Sequence, residues 1–291
     1  YDVQSGKLRR YYSWQNFIDP FRIIIGIFQS IKLIVKIKPN IILTAGSFVC
    51  VPVVIAGWFM RCKCFVHQQD IKIGLSNKIL APFASKITVS FESSLKNFNK
   101  KKVVWTGNPV RAKLLFGDKE KAVKEFNLEE GIPTLLVMGG SLGADKLNEL
   151  MFEAITGLIE FCQIIHVTGK GNKVEWSDRA QFGARASRYH SVEYLYDNLI
   201  DVYAVSELVL CRAGLATLTE LTQLKKPTIL IPILNNQQEE NANYFKAQNA
   251  VLVLQQNEID LQEFITLIED LITSSASLNR LSQNISNMMP E

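Results

Sequence analysis

Much of this 291-residue chain's character lies in what it lacks. No uninterrupted apolar run is long enough to cross a bilayer. The best candidate, within residues 19–38, is broken by Gln29, Ser30 and Lys32, whereas a span needs about 20 consecutive apolar residues. There is no Asp-x-Asp pair and no His/Cys spacing of the metal-binding kind, so no metal and no other cofactor is expected. No serine-hydrolase elbow occurs, and no glycine loop is followed by the Lys-Ser/Thr of a Walker motif. The five cysteines (Cys50, Cys62, Cys64, Cys162, Cys211) are odd in number and mostly sit in apolar runs. They read as buried cytosolic thiols, not a disulfide framework, and Cys62-Lys63-Cys64 lacks zinc-ligand spacing. A net charge of +4 is too small to argue for a nucleic-acid partner. No internal repeat, low-complexity stretch or signal peptide is visible. The chain opens mid-pattern at Tyr1 and stops at Met288-Met289-Pro290-Glu291, so both ends read as clipped.

What is present is a globular composition, 47% hydrophobic and 21% charged, enough for full cores. Short β-branched runs alternate with amphipathic stretches. Strands are expected at 41–44, 63–66, 86–90 and 103–106, and again at 134–138, 163–167, 191–194, 208–211, 228–231 and 250–254. Helices are expected at 19–38, 145–160, 217–225 and 259–273. Continuous apolar strands alternating with helices imply parallel sheets covered on both faces, an α/β fold. The charged segment between Ala112 and Gly131 divides the strands into two Rossmann-like domains, 1–112 and 113–291. The first set begins with a helix, so leading βα units are expected to be absent.

The helix at 19–38 has Asp19 as its expected N-cap and Pro20 at its first position. Arg22, Gln29, Lys32 and Lys36 form one stripe; Phe21, Ile24, Ile25, Phe28, Ile31 and Val35 fill the other side. Two readings stand: a buried Rossmann helix with a wet edge, or a helix resting on anionic lipid.

The most informative stretch runs from Val209 to Glu220. An apolar strand enters a glycine turn at Gly214, and a helix is expected to open near Thr217. Unpaired amides and the positive end of the helix dipole suit a phosphate there. Glu220, about one turn in, is placed to accept from a ribose diol; equally, Thr217-Leu218-Thr219-Glu220 reads as a capping box. Gln237 and Gln238, in the loop after the next strand, supply amides suited to sugar hydroxyls. Both loops follow strand ends, which in a parallel sheet face the ligand crevice. Together they read as a nucleotide-sugar pocket. Gly139-Gly140-Ser141 is a second strand-to-helix glycine turn, with Ser141 offering a hydroxyl and an amide. His67, followed by Asp70, also stands at a strand's carboxyl end.

These segments resemble a known family. Lys7–Arg10, Gly46–Pro52, His67-Gln68-Gln69-Asp70, Gly107-Asn108-Pro109-Val110-Arg111, Gly139–Ala144, Cys211–Glu220 and Gln238–Ala242 occur in the order found in the MurG family. The resemblance covers essentially the whole chain. It implies a GT-B fold, two Rossmann-like domains across a cleft, and transfer of N-acetylglucosamine from UDP-GlcNAc to undecaprenyl-linked lipid I. By motif position, Gly214, Leu215, Ala216, Thr217, Leu218 and Thr219 match the segment that wraps the donor's phosphates. Glu220 matches the ribose ligand, and Gln237 and Gln238 the readers of the GlcNAc hydroxyls, with Asn241 behind them. Leu195 aligns with a backbone contact to uracil. Ser141, Asn148 and Arg111 match polar residues around the cleft; Phe48, His67 and Asp70 fall in acceptor-side loops. The family's N-terminal glycine loop, which ends in a histidine, is absent, as are about two βα units of about 30 residues each. Gln68 stands where the family has glutamate. The general base implied is His67, Asp70 or the missing histidine. A peripheral location on the cytoplasmic leaflet of the bacterial membrane follows from the lipid acceptor. The rival readings are another GT-B enzyme, such as a UDP-sugar 2-epimerase, and a non-catalytic nucleotide-sugar-binding protein.

Overall fold

The computed structural model describes residues 1–6, 14–139, 145–172 and 180–290. The chain forms two compact units, residues 1–108 with 289–291, and residues 109–288. The division falls at Asn108/Pro109, slightly before the expected 112/113. It does so because the segment after Pro109 is tied into the second unit: Arg111 pairs with Glu220, and the Asp118 amide donates to Asp201.

The first unit holds β1 (Ile41–Thr44), β2 (Lys63–Gln68), β3 (Lys86–Val89) and β4 (Val103–Trp105), all parallel in the order β1-β2-β3-β4. Its helices are α1 (Gln15–Ile37), α2 (Cys50–Phe59) and the short α3 (Leu75–Leu80). Val54, Cys64, Val66, Leu80, Ile87 and Val89 form the core, the apolar positions of strands covered by helices.

Helix α1 departs from expectation in two ways. It starts at Gln15, so Asp19 is a buried interior residue beside Arg22 instead of the N-cap, and Pro20 lies inside the helix. Its packed side is narrow: Gly26, Ser30 and Ile34 are buried, while Phe21, Ile24, Ile25, Phe28 and Val35 are exposed. Small residues let α2 approach closely, and the bulky stripe is left pointing outward.

The second unit holds β5 (Thr134–Met138), β6 (Gln163–Val167), β7 (Tyr189–Val192), β8 (Leu208–Cys211), β9 (Thr228–Leu230) and β10 (Leu252–Val253). Their order, β10-β9-β8-β5-β6-β7, is all parallel and reverses direction between β5 and β8. That is the doubly wound Rossmann arrangement, and the reversal opens a crevice at the strands' carboxyl ends. Its helices are α4 (Lys119–Phe126), α5 (Asp145–Leu158), α6 (Leu199–Val205), α7 (Leu215–Gln223), α8 (Gln237–Ala247), α9 (Leu261–Ile272) and α10 (Ser275–Ser286). β5 and β8 are buried almost throughout, and Leu135, Val137, Met151, Ile155, Ile164 and Leu210 knit helices to sheet. β7 lies two residues earlier than expected. Tyr189 is fully buried there, its hydroxyl on His166, which draws the strand inward and releases Glu193 and Tyr194 into the following loop.

No helix among the described residues is long and apolar enough to cross a membrane.

Candidate functional site

A cleft of about 490 Å³ opens where β5 and β8 end, lined by Gly139, Val167, Tyr194, Leu195, Leu199, Tyr203, Arg212, Gly214, Thr217, Glu220, Ile233 and Gln238 among others. Its floor is the turn from β8 into α7. The helix begins at Leu215, two residues earlier than expected, with Gly214 in extended conformation as N-cap and no capping side chain. The first-turn amides therefore keep their donors for something else. The capping-box reading fails on this geometry: Glu220 turns away from the helix start. Its Oε1 accepts from Arg111 Nη2 at 3.0 Å and its Oε2 from the Tyr203 hydroxyl at 3.1 Å.

Of the other residues expected in this segment, Gly214 and Thr217 face the cleft. Leu218 and Thr219 are buried, and the Thr219 hydroxyl donates to the Leu215 carbonyl at 2.8 Å. Leu215 and Ala216 occupy the first turn without lining the cavity. Leu195 does line it, beside Tyr194. Gln238 reaches the wall, with its Oε1 accepting from the Ile233 amide at 3.3 Å, while Gln237 is exposed at the start of α8. Asn236 caps α8 through a bond from the Gln238 amide at 2.7 Å.

Two asparagines act from behind. Asn241 is buried and donates to the Ala213 carbonyl at 3.0 Å, fastening α8 to the β8 turn. Asn148 is buried on α5; its Oδ1 lies 3.1 Å from His166 Nε2 and its Nδ2 donates to the Thr168 carbonyl at 2.9 Å. Because Oδ1 only accepts, His166 carries its proton on Nε2 and takes the Tyr189 hydroxyl on Nδ1. Burial pushes the His166 pKa down to about 3. Ser141, with Gly140 before it and residues 142–144 after it, lies outside the described residues, as does the Lys7–Arg10 motif.

Sequence reasoning missed Tyr203 and Arg212 as site residues. Arg212 was legible as part of the motif, but its state was not. It is buried, bonds the Ile231 and Pro232 carbonyls and Gln256 Oε1, and has no carboxylate partner among the described residues. Its Nε has no hydrogen-bond partner, and burial lowers its pKa. A desolvated guanidinium lining a cleft without a counter-ion favours an anion there.

In the first unit, His67 sits at the end of β2 with both ring nitrogens engaged. Nδ1 is 2.8 Å from the Thr88 hydroxyl; Nε2 is 3.1 Å from Asn108 Oδ1 and 3.3 Å from the Ser90 hydroxyl. Burial lowers its pKa, with the Asn108 bond opposing. Asp70 is exposed as a residue, yet burial of its carboxyl raises its pKa, and no side-chain partner engages it among the described residues. Gln68 is buried, donating to the Asp70 and Lys72 carbonyls and accepting from Asn77. A glutamate there would offer those carbonyls no donor when ionised. Gly46 explains part of its own motif: at φ 86° a Cβ would lie 2.2 Å from the Asn77 side chain. Phe48, half-buried, sits in the turn that opens α2. Among the described residues no group of three or more His, Cys, Asp or Glu is placed to hold a metal ion.

The glycosyltransferase family 28 C-terminal domain matches residues 134–290, and the family's N-terminal domain matches residues 1–89. The chain is a GT-B glycosyltransferase of family 28. A curated relative from Bacillus anthracis, named UDP-N-acetylglucosamine–N-acetylmuramyl-(pentapeptide) pyrophosphoryl-undecaprenol N-acetylglucosamine transferase 2, is 40% identical over 275 residues, covering 93% of this chain and 76% of the relative. The solved structure of Acinetobacter baumannii MurG superposes with a TM-score of 0.74 at 21% identity, over 99% of this chain and 80% of that one. A putative UDP-N-acetylglucosamine 2-epimerase from Listeria monocytogenes shares the fold at a TM-score of 0.67 and 12% identity, over 96% and 77%. The chain belongs to the MurG family.

Proposed function

We propose that this protein transfers N-acetylglucosamine from UDP-GlcNAc to the C4 hydroxyl of the N-acetylmuramyl sugar in undecaprenyl-linked lipid I, forming lipid II. The observation that carries the donor half is the cleft at the β5/β8 reversal, where an uncapped helix start, a buried arginine with no carboxylate partner among the described residues and an oriented carboxylate face one space. In this reading the α7 amides and Arg212 hold the diphosphate, and Glu220 accepts from the ribose hydroxyls. The loop at Leu195 meets the uracil, and Gln238 with Gln237 reads the sugar. As the acceptor hydroxyl attacks the anomeric carbon and UDP leaves, charge grows on the diphosphate. Fixed dipoles and the guanidinium stabilise it without reorganisation.

The attacking hydroxyl must lose a proton to a base within hydrogen-bond reach. Of the two candidates in this chain, His67 has its basic nitrogen committed to Thr88, whereas the Asp70 carboxyl has no side-chain partner among the described residues and is made more basic by burial. Asp70 is therefore the better base. Asn148 and Asn241 shape the loops without touching the donor.

The exposed stripe of α1 (Phe21, Ile24, Ile25, Phe28), flanked by Arg22, Lys32 and Lys36, suits docking on an anionic leaflet, where the polyprenyl acceptor resides. This supports a peripheral position at the cytoplasmic face.

Incubating the protein with radiolabelled UDP-GlcNAc, with and without lipid I, tests the reaction. Label in the lipid fraction only with lipid I present supports transfer. Conversion of the sugar nucleotide to its 2-epimer or to free sugar without lipid I overturns it in favour of an epimerase, and binding with no product favours a non-catalytic receptor.

A further inference from the structure

Glu220 is held from two sides by unlike partners. Arg111, whose side chain is 64% exposed, approaches Oε1 from the segment after β4. Tyr203, on α6, is 1% exposed and donates to Oε2 at 3.1 Å. The first bond is solvated and screened. The second comes from a rigid, fully packed ring with only two side-chain torsions. A glutamate's terminal torsion is broad and two-fold, so a carboxylate held only by a mobile arginine samples many orientations.

The ground beneath Tyr203 is firm. Gly117 runs so close to α6 that a Cβ there would lie 2.2 Å from the Ile200 carbonyl. One residue later the Asp118 amide donates to Asp201 Oδ1 at 2.7 Å. The segment carrying Arg111 is thus tied to the helix carrying Tyr203. Each carboxylate oxygen accepts two bonds, so with both partners in place each oxygen of Glu220 keeps an acceptor site.

We propose that Tyr203 is a positioning residue for ribose recognition: its phenol fixes the plane of the Glu220 carboxylate so that the remaining acceptor sites meet the vicinal diol of the donor's nucleoside. The proposal rests on the reading of Glu220 as the ribose ligand. Burial, with the Glu220 charge adding to it, raises the Tyr203 pKa well above its usual value, so the phenol stays a donor at every working pH. The competing account is that a buried tyrosine needs an acceptor and Glu220 merely provides one.

Calorimetry with UDP and with 2′,3′-dideoxy-UDP, alongside melting curves, separates these. The native protein should prefer UDP by about 10- to 100-fold, the worth of hydrogen bonds to a charged acceptor. Glu220→Ala should erase that preference. Tyr203→Phe, which keeps the ring and its packing, should weaken UDP binding about tenfold while leaving dideoxy-UDP binding unchanged. If Glu220→Ala retains the preference, the ribose reading itself falls. If Glu220→Ala erases it and a folded Tyr203→Phe retains it, Glu220 is the ribose ligand but Tyr203 does not position it, and the proposal is overturned.

Discussion

Replacing Arg212 by methionine is the sharpest probe of the donor site's electrostatics. The native guanidinium is 6% exposed, carries its charge without a carboxylate partner among the described residues, and lines the cleft. Methionine of similar length leaves the Ile231 carbonyl and Gln256 Oε1 short of a donor, a loss of about 1–3 kcal/mol for each group left unsatisfied. It also removes the standing cost of a desolvated charge, and such replacements are often close to neutral in stability. The net change in melting temperature should therefore be small. Binding should not be so forgiving. A cation and a diphosphate charge about 6 Å apart attract by about 3 kcal/mol at an effective dielectric constant of about 20, so UDP affinity should fall by up to about 100-fold. Uridine, which brings no charge, should bind the variant nearly as well as the native protein, and the salt dependence of UDP binding should flatten. Calorimetry with both ligands at two ionic strengths measures this. Equal losses for UDP and uridine would refute the reasoning and leave Arg212 as a staple for the loop after β9.

Asp70→Asn should abolish transfer while UDP-GlcNAc affinity holds, and the native rate should fall on the acid side above the usual carboxylate range, because burial raises the Asp70 pKa; full turnover in the variant returns the role to His67 or to another group. His166, ordinarily near 6.5, is pushed to about 3, so the unfolded chain binds its proton first as pH falls. The stability it contributes is complete above about pH 6.5 and drains away towards pH 3, about 3 kcal/mol being lost by pH 4.5; urea midpoints across that window should show the slope, and His166→Gln should flatten it. Pelleting with phosphatidylglycerol vesicles should fall with salt and fall further in the Lys32→Glu, Lys36→Glu double variant; unchanged pelleting would mean that α1 does not dock on lipid.

β1, β5, β6 and β8 were legible to the residue, because each is a short run dominated by β-branched and apolar residues, though β6 also carries Gln163 and His166. The alternation of strands and helices implied two Rossmann-like domains, and the resemblance carried by the ordered motifs implied the GT-B fold. Three features were not legible, each for a physical reason. The start of α1 was hidden because Asp19-Pro20 is a strong local start signal, overridden when the helix continues back to Gln15. The outward face of its apolar stripe was hidden because periodicity defines a stripe but not which side a neighbour covers. Tyr203 was invisible as a site residue: seventeen positions before Glu220, it reads as one more apolar face of a short helix. Only the fold, which brings the Tyr203 hydroxyl of α6 to 3.1 Å from Glu220 Oε2 on α7, joins the two.

The division of labour among buried polar side chains explains why the motif residues Asn241 and Asn148 do not line the cleft, and why Arg212, which does, also holds a loop. Asn241 bonds the Ala213 carbonyl, Asn148 the Thr168 carbonyl, and Arg212 the Ile231 carbonyl. Each acceptor lies at or just past the end of a strand whose loop leaves the sheet for the crevice. Backbone carbonyls there have left the sheet ladder and are buried, so each needs a donor, and an amide or guanidinium from a neighbouring element supplies it while fixing where the loop goes. The two asparagines act on the ligand through geometry, whereas Arg212 adds its charge. Asn241→Ala should therefore cost stability and blunt discrimination between UDP-GlcNAc and UDP together, because it frees the Ala213 turn and α8 at once. Gln238→Ala should blunt the discrimination alone, measured as the ratio of the two affinities at unchanged melting temperature. If Asn241→Ala lowered the melting temperature but left that ratio intact, the buried asparagine would be holding the fold and not the shape of the sugar pocket.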